Sequence, residues 1–257
     1  MSLLHSFYCW GQVSVVLLST LFFHFVGIER WKFMAFFWAL IPIANTILFT
    51  QVPIRQLIAE DEKGLTLKEL FCNKMFWAFM LLMVAAGASE LAISQWASTF
   101  AELGLHLSKT MGDLAGPMLF AVMMGMVRTF YGKYGHRYQL ETFMLLSGIL
   151  CIAGYLLAAL SPYPVSGLVG CAICGLAVAI MWPGTFSMAS AGIKNGGTLM
   201  FALFALSGDI GCSLGPTIVG QIAGPDGGRL HMGILVGVSY PILFLTGLGL
   251  FHLFKKR

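Results

Sequence analysis

Apolar residues in this chain do not alternate with polar ones. They come in continuous runs of about 20, the length that crosses a bilayer core about 30 Å thick as a helix. The runs are approximately Phe7–Gly27, Phe33–Val52, Met75–Ser98, Thr110–Phe130, Thr142–Leu160, Ser166–Ala189, Thr198–Ala223 and Met232–Phe254. Most connections between them are short and carry turn formers or charge, such as Glu29-Arg30-Trp31-Lys32, Ser161-Pro162-Tyr163-Pro164, Asn195-Gly196-Gly197 and Pro225-Asp226-Gly227-Gly228-Arg229. Only Pro53–Lys74 is long and charged, with Glu60-Asp61-Glu62-Lys63 at its middle. The pattern predicts an all-α, polytopic membrane protein of eight spans, two before the long loop and six after it.

Composition agrees. The 257 residues are 58% hydrophobic and 10% charged, with a mean hydropathy of +0.84. A soluble domain carries roughly 25% charged residues, so most of this surface faces lipid. That excludes a soluble enzyme, a nucleic-acid binder and a disordered linker. The net charge of +4 is too scattered to serve a polyanion.

The placement of the cations predicts orientation. Alternate connections divide the 15 Lys and Arg into 11 on one side and 4 on the other, and the richer side faces the cytoplasm. Both termini and Pro53–Lys74 are therefore expected there, with the chain in the cell membrane. The first apolar run is long and lacks a basic leader, so it reads as a span rather than a cleaved signal. Of six Cys, Cys171 and Cys174 form a CxxC among small residues with no second pair, which fits helix packing rather than a metal site. No cofactor is expected.

Small residues at helical spacing, such as Gly208, Gly211 and Gly215, let membrane helices approach closely. Pro42, Pro117, Pro183, Pro216 and Pro241 fall inside or near the ends of spans. Neighbouring groups or water must satisfy the carbonyls they free, which suits helices bent around a cavity.

Polar side chains inside the spans are the candidate functional residues, because each is costly in lipid. Asp209 lies mid-span between Gly208 and Gly211. It either lines a cavity as a proton-linked acid or makes a structural helix–helix bond. Glu90 is expected in the outer half of the third span, with Gln95 and Trp96 further out, a set that suits a hydroxyl-rich solute. Trp182, before Pro183, stands at a helix break where an indole stacks on a sugar ring, gates, or packs. Asn45 and Gln12 either line a pore or bond a neighbouring helix. Asp113 reads as a helix-start acid near water, and His5 and His24 as interfacial histidines.

Residues Gly125 to Arg137 (GMVRTFYGKYGHR) resemble the glycine-and-basic cytoplasmic loop of the major facilitator superfamily. Gly132 stands at the family's acidic position and His136 at one of its basic ones, so the likeness is to the degenerate copy between the eighth and ninth spans. Arg128, Gly132, Lys133, Gly135 and Arg137 are then the gating-loop residues. The start of the seventh span with Gly215-Pro216 is similar to an eleventh span, Trp182-Pro183-Gly184-Thr185-Phe186 to a tenth and His5-Ser6-Phe7-Tyr8 to a fifth. The branch most resembled is the fucose/glucose-permease-like group.

The resemblance implies that residues 1–52 are the last two helices of an amino-terminal half, 53–74 the central cytoplasmic loop and 75–257 a complete six-helix half. It implies an amino-terminally truncated transporter, whose missing half is an expected partner and which is not expected to transport unaided. The implied activity is secondary active transport of a small polar solute, a sugar first, by alternating access between the halves. Asp209 and Glu90 motivate proton coupling. The rivals are a drug or metabolite exporter of the same fold and a non-transporting membrane assembly subunit.

Overall fold

A computed structural model describes residues 2–53, 64–105 and 107–256. Arg55, the acidic run Glu60-Asp61-Glu62-Lys63 and Arg257 lie outside the described residues. Among the described residues there are eight helical spans: Ser2–Val26, Ile28–Phe49, Lys74–Leu103, Lys109–Arg137, Leu140–Leu160, Val165–Gly192, Gly197–Ala223 and Leu230–Lys255. The fourth departs most from the sequence reading, running seven residues past Phe130. The segment that resembles a cytoplasmic loop is helical through Tyr134, and only Gly135–Arg137 tightens into a 3₁₀ turn. Isolated glycines do not end a helix whose other faces are apolar.

Two spans are simple helices at the start, α1 (Ser2–Val26) and α2 (Trp31–Phe49). A short helix, α3 (Leu67–Cys72), follows in the long loop, where the sequence reading expected no element. Its first turn is closed by a capping box. Thr66 accepts from the Glu69 amide at 3.3 Å, and the Glu69 carboxylate takes the Thr66 amide at 2.7 Å.

The third span joins α4 (Lys74–Ser94) to α5 (Ala97–Leu105). The fourth joins α6 (Lys109–Asp113) to α7 (Leu119–Tyr134) through one π turn, Leu114–Met118. Pro117 lies in that turn, and the extra residue absorbs the ladder bond a proline cannot make. Next come α8 (Leu140–Leu160), then α9 (Pro164–Val178) and α10 (Met181–Gly192) as one broken span, and α11 (Gly197–Ala223). Last are α12 (Leu230–Gly237) and α13 (Ser239–Lys255), which break just ahead of Pro241.

The helix α4 is the hub. It is buried along most of its length and packs against α9, α10, α11 and α13. Phe76, Phe79, Phe204 and Phe251 fill its end near Lys74. The α4–α11 seam is close enough that a Cβ on Gly211 would overlap the Val84 carbonyl. Cys151, Cys171 and Cys174 are buried in the α8–α9 seam, where Cys174 Sγ donates to the Cys151 carbonyl at 3.8 Å. They pack there as small residues.

Beyond the hub, α1 lies along α7, whereas α2 buries only Met34 and touches α1 through a Trp38 indole N–H donated to Ser19 at 3.1 Å. Long apolar side chains such as Phe33, Phe36 and Leu146 are exposed. Such a surface is stable only against lipid or another membrane helix. Consecutive spans run in opposite directions, so Ser2, Lys74, Tyr134, Gly192 and Lys255 share one end of the bundle, the basic end.

Candidate solute cavity

The bend in the sixth span starts the site. Pro183 has no amide hydrogen, so the Ala179 carbonyl four residues earlier loses its helical donor. The Nε of Arg128, on α7, donates to that carbonyl at 2.8 Å. The same guanidinium gives Nη1 to the His5 carbonyl and to Cys9 Sγ, each at 3.3 Å, and Nη2 to Glu90 on α4 at 3.0 Å. Its remaining face lies 5.8 Å from the Tyr8 ring. The Arg128 and Glu90 side chains are 2% and 8% exposed, so this is a buried ion pair, with four of the five guanidinium donors bonded within the protein. Removing either partner alone would strand a charge.

Next to the pair is a cavity of about 280 Å³, lined by His5, Tyr8, Glu90, Leu91, Arg128, Trp182, Asp209 and Cys212. It would hold about nine waters at ~30 Å³ each. Five helices meet around it, α1, α4, α7, α10 and α11. Asp209 is exposed where it lines the cavity, and among the described residues no group hydrogen-bonds its carboxylate. Trp182 is held against α11 because Gly208 leaves room for its ring; a Cβ there would overlap the indole. The Cys212 thiol is half-buried beside Asp209.

Glu90, Trp182 and Asp209, three of the residues singled out from sequence, thus share one cavity. The others do not join them. Glu90 lies just to the outer side of the middle of the third span and is buried rather than open to a vestibule. Gln95 is exposed. Trp96 turns to α11, where its indole N–H donates to the Pro216 carbonyl at 3.0 Å and its ring packs on Gly220. Asn45 is exposed on the peripheral α2. Gln12, one turn past Tyr8, is half-buried with its Oε1 unpartnered and does not line the cavity.

Arg128 corrects the sequence reading most. It was counted with the loop cations but lies nearly two turns inside α7. The other loop residues stay at the basic end. Lys133 and Arg137 sit 5.4 and 5.8 Å from the Tyr134 ring, Gly135 opens the 3₁₀ turn, and Gly132 abuts α1, so that a Cβ there would come within 2.9 Å of Leu3 Cα.

His5, Tyr8 and Cys212 were not singled out for the cavity. The spacing of His5 and Tyr8, three apart on one helix face, was the available signal, but histidine and tyrosine near a span end also read as interface anchors.

Two other polar places hold self-paired groups. At the end opposite the basic one, Ser98 and Asp113 are hydrogen-bonded at 2.6 Å. Lys109 pairs there with Asp113 and, at 3.3 Å, with Glu102, so Asp113 is tied into an ion cluster. At the basic end a crevice of about 740 Å³ lies among Met75, Glu141, Met188, Phe251 and Lys255, and Lys255 spends its charge on Glu141 at 2.6 Å.

Broken helices around a polar, charged cavity within the helix bundle define a polytopic protein of transporter architecture. The sequence profile of the Major Facilitator Superfamily matches residues 1–216, and the chain belongs to that family. Among solved structures it is similar to a bacterial homologue of the human lysosomal transporter Spinster, crystallised in an inward-facing and unoccupied conformation. The TM-score is 0.50 at 15% identity, over 82% of this chain and 56% of that one. This chain therefore spans little more than half the length of that transporter. No curated protein matches the sequence.

Proposed function

We propose that this protein takes part in secondary active transport of a small polar solute by alternating access, with the cavity beside the Glu90–Arg128 pair as the solute site. The observation that carries the proposal is the convergence of Glu90, Arg128, Asp209 and Trp182 from four separate spans on one cavity inside the bundle. Intramembrane charges are retained where a pathway needs them. A sugar is the first solute class to test, on the resemblance to the fucose/glucose-permease-like group and on Trp182 as a stacking face. Proton coupling through Asp209 is proposed with it, since its carboxylate faces the cavity and among the described residues no group hydrogen-bonds it.

Residues 1–52, 53–74 and 75–257 are proposed to correspond to spans five and six, the central loop and spans seven to twelve of a twelve-span relative. The contact of α1 with α7 and the peripheral place of α2 support that register. With both termini in the cytoplasm of a cell-membrane protein, the basic end would be the inner one.

The test is uptake of radiolabelled sugars by cells expressing the natural gene. Asp209→Asn is expected to abolish accumulation driven by a pH gradient while leaving solute exchange intact. Unchanged accumulation would make Asp209 structural. A drug or metabolite panel run alongside separates export from import.

A further inference from the structure

The charge balance around the cavity says more about the solute than its position does. Two acids, Glu90 and Asp209, line it against one permanent cation, Arg128, with His5 the remaining titratable base among the described lining residues. Four of the five Arg128 N–H groups already donate within the protein: to Ala179, to His5 and Cys9, and to Glu90. Its charge is matched by Glu90 at 3.0 Å. That leaves Asp209 as a carboxylate exposed to the cavity and unmatched. The rings of Tyr8 and Trp182 flank the same space, and a ring face attracts a cation.

On the reading of this cavity as the solute site, we infer that its solute carries one positive charge, a protonated amine on a small body, with Asp209 as its counter-ion and Tyr8 or Trp182 as its ring contact. An anion would meet a lining in which two acids outnumber the one permanent cation. A neutral polyol would leave Asp209 uncompensated unless a proton entered with it, which is the proton-coupled sugar reading against which this inference is tested. The volume of about 280 Å³ admits a single-ring amine.

Cys212 supplies the assay, because its half-buried thiol lines the same cavity while Cys9, Cys151, Cys171 and Cys174 are buried and Cys72 is exposed elsewhere. The purified full chain carrying Cys72→Ser is treated with a small neutral maleimide at mildly alkaline pH, and modification of the Cys212 peptide is timed by mass spectrometry. The probes are benzylamine, benzyl alcohol and benzoate, which share one shape and differ in charge, together with glucose. Equilibrium dialysis of radiolabelled benzylamine gives a second readout that does not depend on the thiol.

Benzylamine is expected to protect Cys212 at a concentration about tenfold below benzyl alcohol, the size of one charge-assisted contact in a partly solvated site. Benzoate should not protect, and Asp209→Asn should erase the difference between amine and alcohol. Equal protection by benzyl alcohol, or protection by glucose without benzylamine, would overturn the inference and leave the solute site standing. No protection and no binding by any probe would overturn the solute site itself.

Discussion

Replacing Arg128 by Met asks how much the fold depends on the buried pair. Methionine keeps the length and apolar stem of arginine and removes the charge and every donor. Glu90 would then be a stranded carboxylate, 8% exposed, and breaking such a pair costs about 3–5 kcal/mol. The Ala179 carbonyl, already without its helical donor, would lose its bond at 2.8 Å, a further cost of about 1–3 kcal/mol.

The double replacement Arg128→Met with Glu90→Leu removes both charges, so only the carbonyl losses should remain. The double variant should be more stable than Arg128→Met alone, with a coupling of about 2 kcal/mol or more. Reversible unfolding in mixed detergent micelles, followed by helical circular dichroism, measures both. A single variant within about 1 kcal/mol of wild type and strictly additive effects would refute the pairing and with it the account of the Pro183 bend.

Two further outcomes follow from the packing and the capping. Gly211→Ala puts a methyl group into the Val84 carbonyl and should cost about 1–3 kcal/mol by forcing α4 and α11 apart, whereas Gly249→Ala enters open space and should be neutral in the same unfolding assay. Equal effects would mean that the seam is looser than described. In α3 the exposed Glu69 carboxylate accepts from the Thr66 amide and hydroxyl, each at 2.7 Å, and these bonds hold its pKa below the ordinary 4.5. A depressed carboxylate stabilises above its unfolded value and loses that contribution as pH falls through the folded one. Hydrogen exchange of the α3 amides, normalised to intrinsic rates, should lose protection as the sample is acidified below that ordinary value, and Glu69→Ala should remove the dependence. Protection that ignores pH would discard the capping box.

The spans were legible because lipid imposes one demand, a long apolar helix, that leaves a one-dimensional trace. Pro183 likewise announced a bend, and Asp209, Glu90 and Trp182 stood out as polar or aromatic groups in apolar surroundings. What could not be read was which side chains converge. Arg128 sits two residues before the point where the apolar run fades, so sequence placed it with the loop cations; only the continuation of α7 to Tyr134 puts it inside. Trp96 and Gln95 follow Glu90 closely in sequence but leave its face, since the helix turns about 100° per residue. The link from Pro183 to Arg128 runs through a carbonyl, which no side-chain pattern reveals.

The most direct test is an experimental structure of the protein with solute bound. The account predicts density between Tyr8, Trp182 and Asp209, with the Glu90–Arg128 pair intact beside it. Solute bound elsewhere in the bundle, or a lipid tail filling the space next to Asp209, would contradict it.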